Sequence, residues 1–150
     1  MEVIIAIFVI VTALVALMSL IGAAIASGNS ASAKLVAANL AQEGVEIVKS
    51  VRELNYGVNG WDDWYANFTA GNYSIQYDST DFGGLWDSFL QYDPASGLYR
   101  YGGGSDSIFK RKIILTKDNN NEIGVISEVT WRERGVAKSI RVEDKLWNWR

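Results

Sequence analysis

Residues 3–26 read VIIAIFVIVTALVALMSLIGAAIA, and a single carboxylate, Glu2, stands directly in front of them. From Val3 to Ala33 the chain has no Asp, Glu, Lys or Arg, and no proline interrupts it. At about 1.5 Å per residue such a helix is long enough to cross a bilayer core of roughly 30 Å. A secretory signal peptide would place basic residues before a shorter apolar run and a small-residue cleavage site after it. Here an acid precedes the run and the helical pattern continues beyond it. A single-span membrane anchor is the simplest reading of the run taken alone.

Small residues crowd the next stretch (Gly22, Ala23, Ala24, Ala26, Ser27, Gly28, Ser30, Ala31, Ser32, Ala33), and an amphipathic segment follows from Lys34 to Leu54. Val36, Leu40, Gly44, Ile47, Val51 and Leu54 recur at three- and four-residue spacing and line one face, with Lys34, Gln42, Glu46, Lys49 and Glu53 on others. Read as one helix of about fifty residues, the two halves would reach on the order of 75 to 80 Å, well beyond a bilayer. The second half then needs an apolar surface of its own. The spacing assigns helix–sheet packing to Val36, Leu40, Ile47, Val51 and Leu54, against the C-terminal part of the chain.

The segment EVIIAIFVIVTALVALMSLIGAA, headed by its glutamate, resembles the N-terminal spine of type IV pilins and related prepilin-like proteins, pseudopilins included. The following AANLAQEGVEIVKSVREL looks like the emerging half of that helix, and the closing WRERGVAKSIRVEDKLWNWR like the last strands of a small pilin-type β domain. The resemblance is most specific over the first 54 residues. It implies removal of a leader by a prepilin peptidase, passage through an inner-membrane assembly platform, and a homopolymer of identical subunits in an extracellular, cell-surface filament. Before assembly the chain would be a single-pass inner-membrane protein. Attachment, motility and DNA uptake are the activities such filaments carry. Two departures stand out. Family members usually place the glutamate a few residues further in, behind a phenylalanine or similar residue. Here it is second, with no glycine-ended basic leader before it, which leaves residues missing before Met1 or a shortened mature end as alternatives. Many members also carry a proline about twenty residues into the helix, absent here; Ser19, Gly22 and Gly28 are the available points of helix flexibility, since glycine costs a helix interior about 1 kcal/mol relative to alanine.

Glu2 has two readings. As a first-turn acid it gains about 0.3 to 1 kcal/mol from the helix dipole. In a dry bundle an unpaired charge is costly, and because no Lys or Arg precedes Lys34, the α-amino group of a neighbouring chain is the natural counter-ion. That pairing would set the axial register between subunits, with Val3, Ile4, Ile5 and Phe8 completing the assembly segment.

Setting the 1–54 spine aside, residues 55–150 suffice for one globular head. A net charge of −3 without a basic run argues against general nucleic-acid or acidic-lipid binding. The stretch from Asn55 to Asn72, rich in Gly, Asn, Asp and aromatics, reads as irregular structure, followed by an alternating Tyr73, Ile75, Tyr77 strand and a turn over Asp78 to Gly84. Leu98 to Tyr101 reads as a strand, and Gly102 to Ser105 as a flexible connection. The clearest β territory is Ile108 to Thr116, Glu122 to Trp131 and Val136 to Trp147, joined by turns at Asp118–Asn121 and at Glu133, Arg134 and Gly135. Together these predict an α+β fold in which the C-terminal half of a long helix packs on one face of a small antiparallel sheet.

Chemistry is sparse. With no His and no Cys the chain lacks the usual general base, thiolate and transition-metal ligands. Acids among Asp62, Asp63, Asp81, Asp87 and Glu128 could form a glycosidase pair, but no sequence feature fixes their separation. Asp62 with Asp63, or Asp78 with Asp81, lack the spacing of a dedicated calcium loop and read as solvated turn acids. No enzyme activity, cofactor or metal is therefore expected. Asn67-Phe68-Thr69 and Asn72-Tyr73-Ser74 match the short acceptor pattern for N-linked sugar. The 6 tryptophans and 7 tyrosines all follow residue 55 and serve first to build a small core and subunit contacts. Trp61, Trp64, Tyr65 and Phe82 are the loop aromatics that would form a surface, glycan or DNA-base contact. The composite expectation is a filament subunit; a minor pilin or secretion-system pseudopilin, and a monomeric membrane-anchored binding domain, are the alternatives.

Overall fold

A computed structural model of the chain describes residues 1–59, 68–80, 82–83, 87–119 and 122–147. One helix, α1 (Glu2–Asn59), is followed by β1 (Gly71–Tyr73), β2 (Gln91–Asp93), β3 (Leu98–Arg100), β4 (Ser105–Asp106), β5 (Lys110–Asn119), β6 (Glu122–Glu133) and β7 (Val136–Trp147). The protein is α+β, with an antiparallel four-stranded sheet in the order β1-β5-β6-β7 and a three-stranded sheet in the order β3-β2-β4. Helix geometry holds through Ser19, Gly22 and Gly28. Thr12 donates its hydroxyl to the Phe8 and Val9 carbonyls, so its polar group is satisfied within the helix.

The chain forms two compact units, Met1–Leu35 and Val36–Arg150. The division falls within the helix, because residues of α1 between Ala37 and Val51 are part of the core of the second unit. On the sheet side, alternation puts Arg111, Ile113 and Leu115 of β5 and Ile123, Val125, Ser127, Val129 and Trp131 of β6 on one buried face. The register confirms the shared face, pairing Ile113 with Ser127, Leu115 with Val125 and Ile123 with Leu146. Val45, Ile47 and Val48 of α1 join Phe68, Ile75 and these strands in one cluster.

The β6–β7 hairpin closes through Arg134 and Gly135, both at positive φ (51° and 81°), the primed turn whose twist matches its flanking strands. This is the turn the sequence predicts. Two expectations need correcting. The Tyr73–Tyr77 strand is cut short: β1 ends at Tyr73, and only a bridge from Ser74 to Gly83 continues it. The supposed connection at Ser105 is instead β4, which pairs with β2, a strand that carries no alternation long enough to read from sequence. The β2–β3 turn is fixed by the Asp93 carboxylate, which accepts from the Ala95 amide at 3.0 Å and the Ser96 hydroxyl at 2.9 Å. Those bonds hold the Asp93 carboxyl below the usual carboxylate range.

Candidate assembly surface

In the first unit, every large apolar side chain from Val3 to Ile25 is between 51 and 72 % exposed. They surround the helix on all sides, the pattern of a segment meant for a non-aqueous environment rather than of a helix with one core-facing stripe. Val3, Ile4, Ile5 and Phe8 belong to this wall. Among the described residues α1 is the one helix long and apolar enough to cross a membrane, and none of its most apolar stretch is buried. Glu2 begins the first turn, where the Met1 carbonyl accepts from the Ile5 amide at 3.3 Å. The Glu2 carboxylate has no partner among the described residues, and its nearest possible intrachain cation in sequence beyond the terminus is Lys34.

The second unit uses the same helix differently. Its buried face is Ala37, Leu40, Ala41, Gly44, Val45, Ile47, Val48, Val51 and Asn55. Leu40, Ile47 and Val51 are buried, and Val36 is half-buried. Leu54 is a correction: it is 49 % exposed, and Asn55 takes the inward position. The physical reason lies in the small residues. A Cβ built on Gly44 would sit 2.3 Å from Ser127 Oγ and 2.9 Å from Ile113 Cδ1, so helix and sheet approach so closely that only glycine fits. That contact rotates the buried stripe toward Ala37, Ala41 and Gly44.

Arg111 locks this approach. Fully buried, it donates to the Leu40 carbonyl at 3.1 Å and the Ile75 carbonyl at 2.7 Å, and pairs with Glu43 at 3.1 Å. One side chain thereby joins α1, β5 and the segment after β1. Tyr101 adds its hydroxyl to the Arg111 carbonyl at 3.0 Å, and burial pushes the Tyr101 phenol up from its ordinary value. At the other end of the sheet, Lys49 of α1 reaches Asp144 of β7 at 3.0 Å. Hydrogen bonding to Lys49 lowers the Asp144 carboxyl, and the same bond, with help from Glu46, raises the Lys49 ammonium.

No family model, curated protein or solved structure matches the chain. The geometry therefore carries the functional reading.

The remaining sequence candidates divide cleanly. Trp61, Trp64 and Tyr65 lie outside the described residues, as do Asp62, Asp63, Asn67 and Asp81. Phe82 is half-buried and packs on the core, edge-on to Phe68 at 4.8 Å and tilted on Tyr73 at 5.4 Å. Asp87 and Glu128 line a common cavity of about 90 Å³, but each is held by a lysine, Asp87 by Lys110 at 2.8 Å and Glu128 by Lys112 at 2.9 Å. Among the described residues no group of His, Cys, Asp or Glu could hold a metal ion. Arg111 was the residue that sequence reasoning missed. Its signal was parity: Phe109, Arg111, Ile113 and Leu115 fall on one side of a strand.

Proposed function

We propose that the chain is a structural subunit of an extracellular type IV pilus-like filament, polymerising through its apolar N-terminal helix with the β head outermost. The observation that carries this reading is the exposed apolar wall from Val3 to Ile25, headed by an unpaired Glu2. Lipid can hold that wall before assembly. Once the subunit leaves the membrane, only another apolar environment can, and a bundle of identical helices supplies it. Within such a bundle the Glu2 carboxylate pairs with the α-amino group of a neighbouring copy and fixes the axial offset between subunits. The partners in this account are identical chains, an inner-membrane assembly platform and a leader peptidase, and the role is mechanical, with no catalysis. The small-residue run from Gly22 to Ala33 lets helices approach one another closely, as it does wherever helices meet without water.

The test is to express Glu2→Ala and Glu2→Gln in the native host and count filaments by electron microscopy. The expected result is loss of filaments with normal amounts of membrane-inserted subunit. Abundant filaments of normal appearance from Glu2→Ala overturn the register role. A wild-type chain found only as a detergent-soluble monomer overturns polymerisation and leaves a membrane-anchored head.

A further inference from the structure

The head carries an open cleft of about 760 Å³ between the segment before β2, the segment joining β4 to β5, and the outer face of the β6–β7 hairpin end. Phe89 (46 % exposed) and Ile108 (51 % exposed) present apolar sides to it. Among the described residues its charged lining is Asp87, Asp106, Lys110 and Arg132, two acids and two bases that sum to zero. Three of these groups are held in place. Lys110 pairs with Asp87 at 2.8 Å and lies 4.5 Å from the centre of the Phe89 ring, while Asp106 accepts from Gln91 Nε2 at 2.8 Å. The walls are tied by backbone bonds, Leu90 amide to Phe109 carbonyl and Ser107 amide to Leu90 carbonyl, both at 2.9 Å, with Leu90 fully buried behind them.

We infer that this cleft is a binding site for a neutral saccharide. An anion such as a nucleic-acid phosphate would meet two carboxylates, and a cation would meet Lys110 and Arg132. A purely apolar chain would strip water from four charged groups without replacing their hydrogen bonds. A pyranose satisfies both halves of the lining. Its C–H face packs on the electron-rich side of an aromatic ring, and its hydroxyls donate to carboxylates whose lone pairs exceed their present partners. The volume lies in the usual range of small-molecule sites, roughly 300 to 1,000 Å³. The inference is independent of polymerisation, because every residue it uses belongs to the head of one chain.

The test uses the full chain in dodecylphosphocholine micelles, whose headgroup carries no sugar. Methyl and amide resonances are followed while cellobiose, maltose, lactose or N,N′-diacetylchitobiose is added in turn. At least one disaccharide is expected to give saturable shifts centred on Phe89, Ile108, Lys110 and Arg132, with a dissociation constant on the order of 1 mM or tighter. Phe89→Ala and Asp106→Asn are each expected to weaken it at least about tenfold while the Ile113 methyl resonance, in the core, stays in place. Absence of shifts with all of these sugars overturns the site, as do shifts centred elsewhere, tighter binding of oligothymidylate at the same residues, or unchanged affinity in folded Phe89→Ala.

Discussion

The two stretches of α1 contain the same kinds of aliphatic side chain and put them to opposite uses. Before Leu35, large apolar residues cover the whole circumference and are left open. After Val36, smaller ones occupy one face and disappear beneath a sheet, with Ala37, Ala41, Val48 and Val51 fully buried. The difference teaches that hydropathy alone does not say where an apolar helix will be satisfied. A stripe bounded by Glu43, Glu46 and Lys49 finds its partner within the chain, whereas the uncharged wall from Val3 to Ile25 finds none there among the described residues.

This contrast can be broken from the head side. The largest effect is expected from Arg111→Ala, which opens a cavity and leaves the Ile75 carbonyl without its 2.7 Å donor. Loss of a large buried side chain together with its hydrogen bonds costs about 3 to 5 kcal/mol, read as a fall in the head's denaturant midpoint in micelles. Membrane insertion of residues 3–26 should be unaffected. A loss of less than about 1 kcal/mol would remove Arg111 as the lock between helix and sheet.

The phase of the stripe is sharpened by a pair. Val48→Ala should destabilise the head by roughly 2 kcal/mol, because Val48 is fully buried in the core cluster, while Leu54→Ala should cost less than about 0.5 kcal/mol. The reverse order would restore the phase that the sequence suggests. Gly44→Ala is a finer cut through the same contact. The clash with Ser127 costs about 1 to 3 kcal/mol, and the better helix propensity of alanine returns about 1 kcal/mol. Adding Ser127→Ala removes the oxygen that the new methyl meets, so the double variant should be more stable than Gly44→Ala alone; equal stability of the two would place the strain elsewhere.

The smallest effect comes from the Lys49–Asp144 bridge, since its partners are each more than a third exposed. Asp144 titrates below its ordinary 3.8 in the folded head, so its contribution is present above that value and is lost as pH falls through the depressed folded pKa. Lys49 titrates above its ordinary 10.5, so its contribution is present below that value and is lost as pH rises through the elevated one. Asp144→Asn should lower the neutral plateau of the head's stability curve by less than about 1 kcal/mol and flatten both limbs by the same small amount, because the contribution it removes is present at neutral pH. A marked loss at neutral pH would mean that the bridge contributes more than an exposed pair can.

Much of this architecture was legible because long periodic runs constrain it. The 3–26 run, the Val136–Trp147 alternation and the Arg134–Gly135 turn each admit few structures. Short elements were not legible. The strands β2 and β4 have 3 and 2 residues, too few for any period to appear. The exact buried face escaped for a different reason: Gly44 and the alanines act through how closely they let backbones approach, a property invisible to a reading weighted toward large side chains. Arg111 escaped because a charged residue within Lys110-Arg111-Lys112 reads as solvated, and its burial depends on carbonyls supplied by α1 and by Ile75, far away in sequence. The cleft beside Phe89 shares that origin, since its acids and bases come from three separate segments of the chain.

The most direct measurement is a cryo-electron microscopy reconstruction of filaments sheared from cells that express this chain, with the subunit identified by peptides from residues 1–35. The account predicts α-helices of residues 3–26 packed together along the filament axis, with Glu2 of each copy beside the α-amino group of a neighbour. Filaments whose subunits lack that segment, or recovery of the chain solely from the lipid fraction, would contradict it.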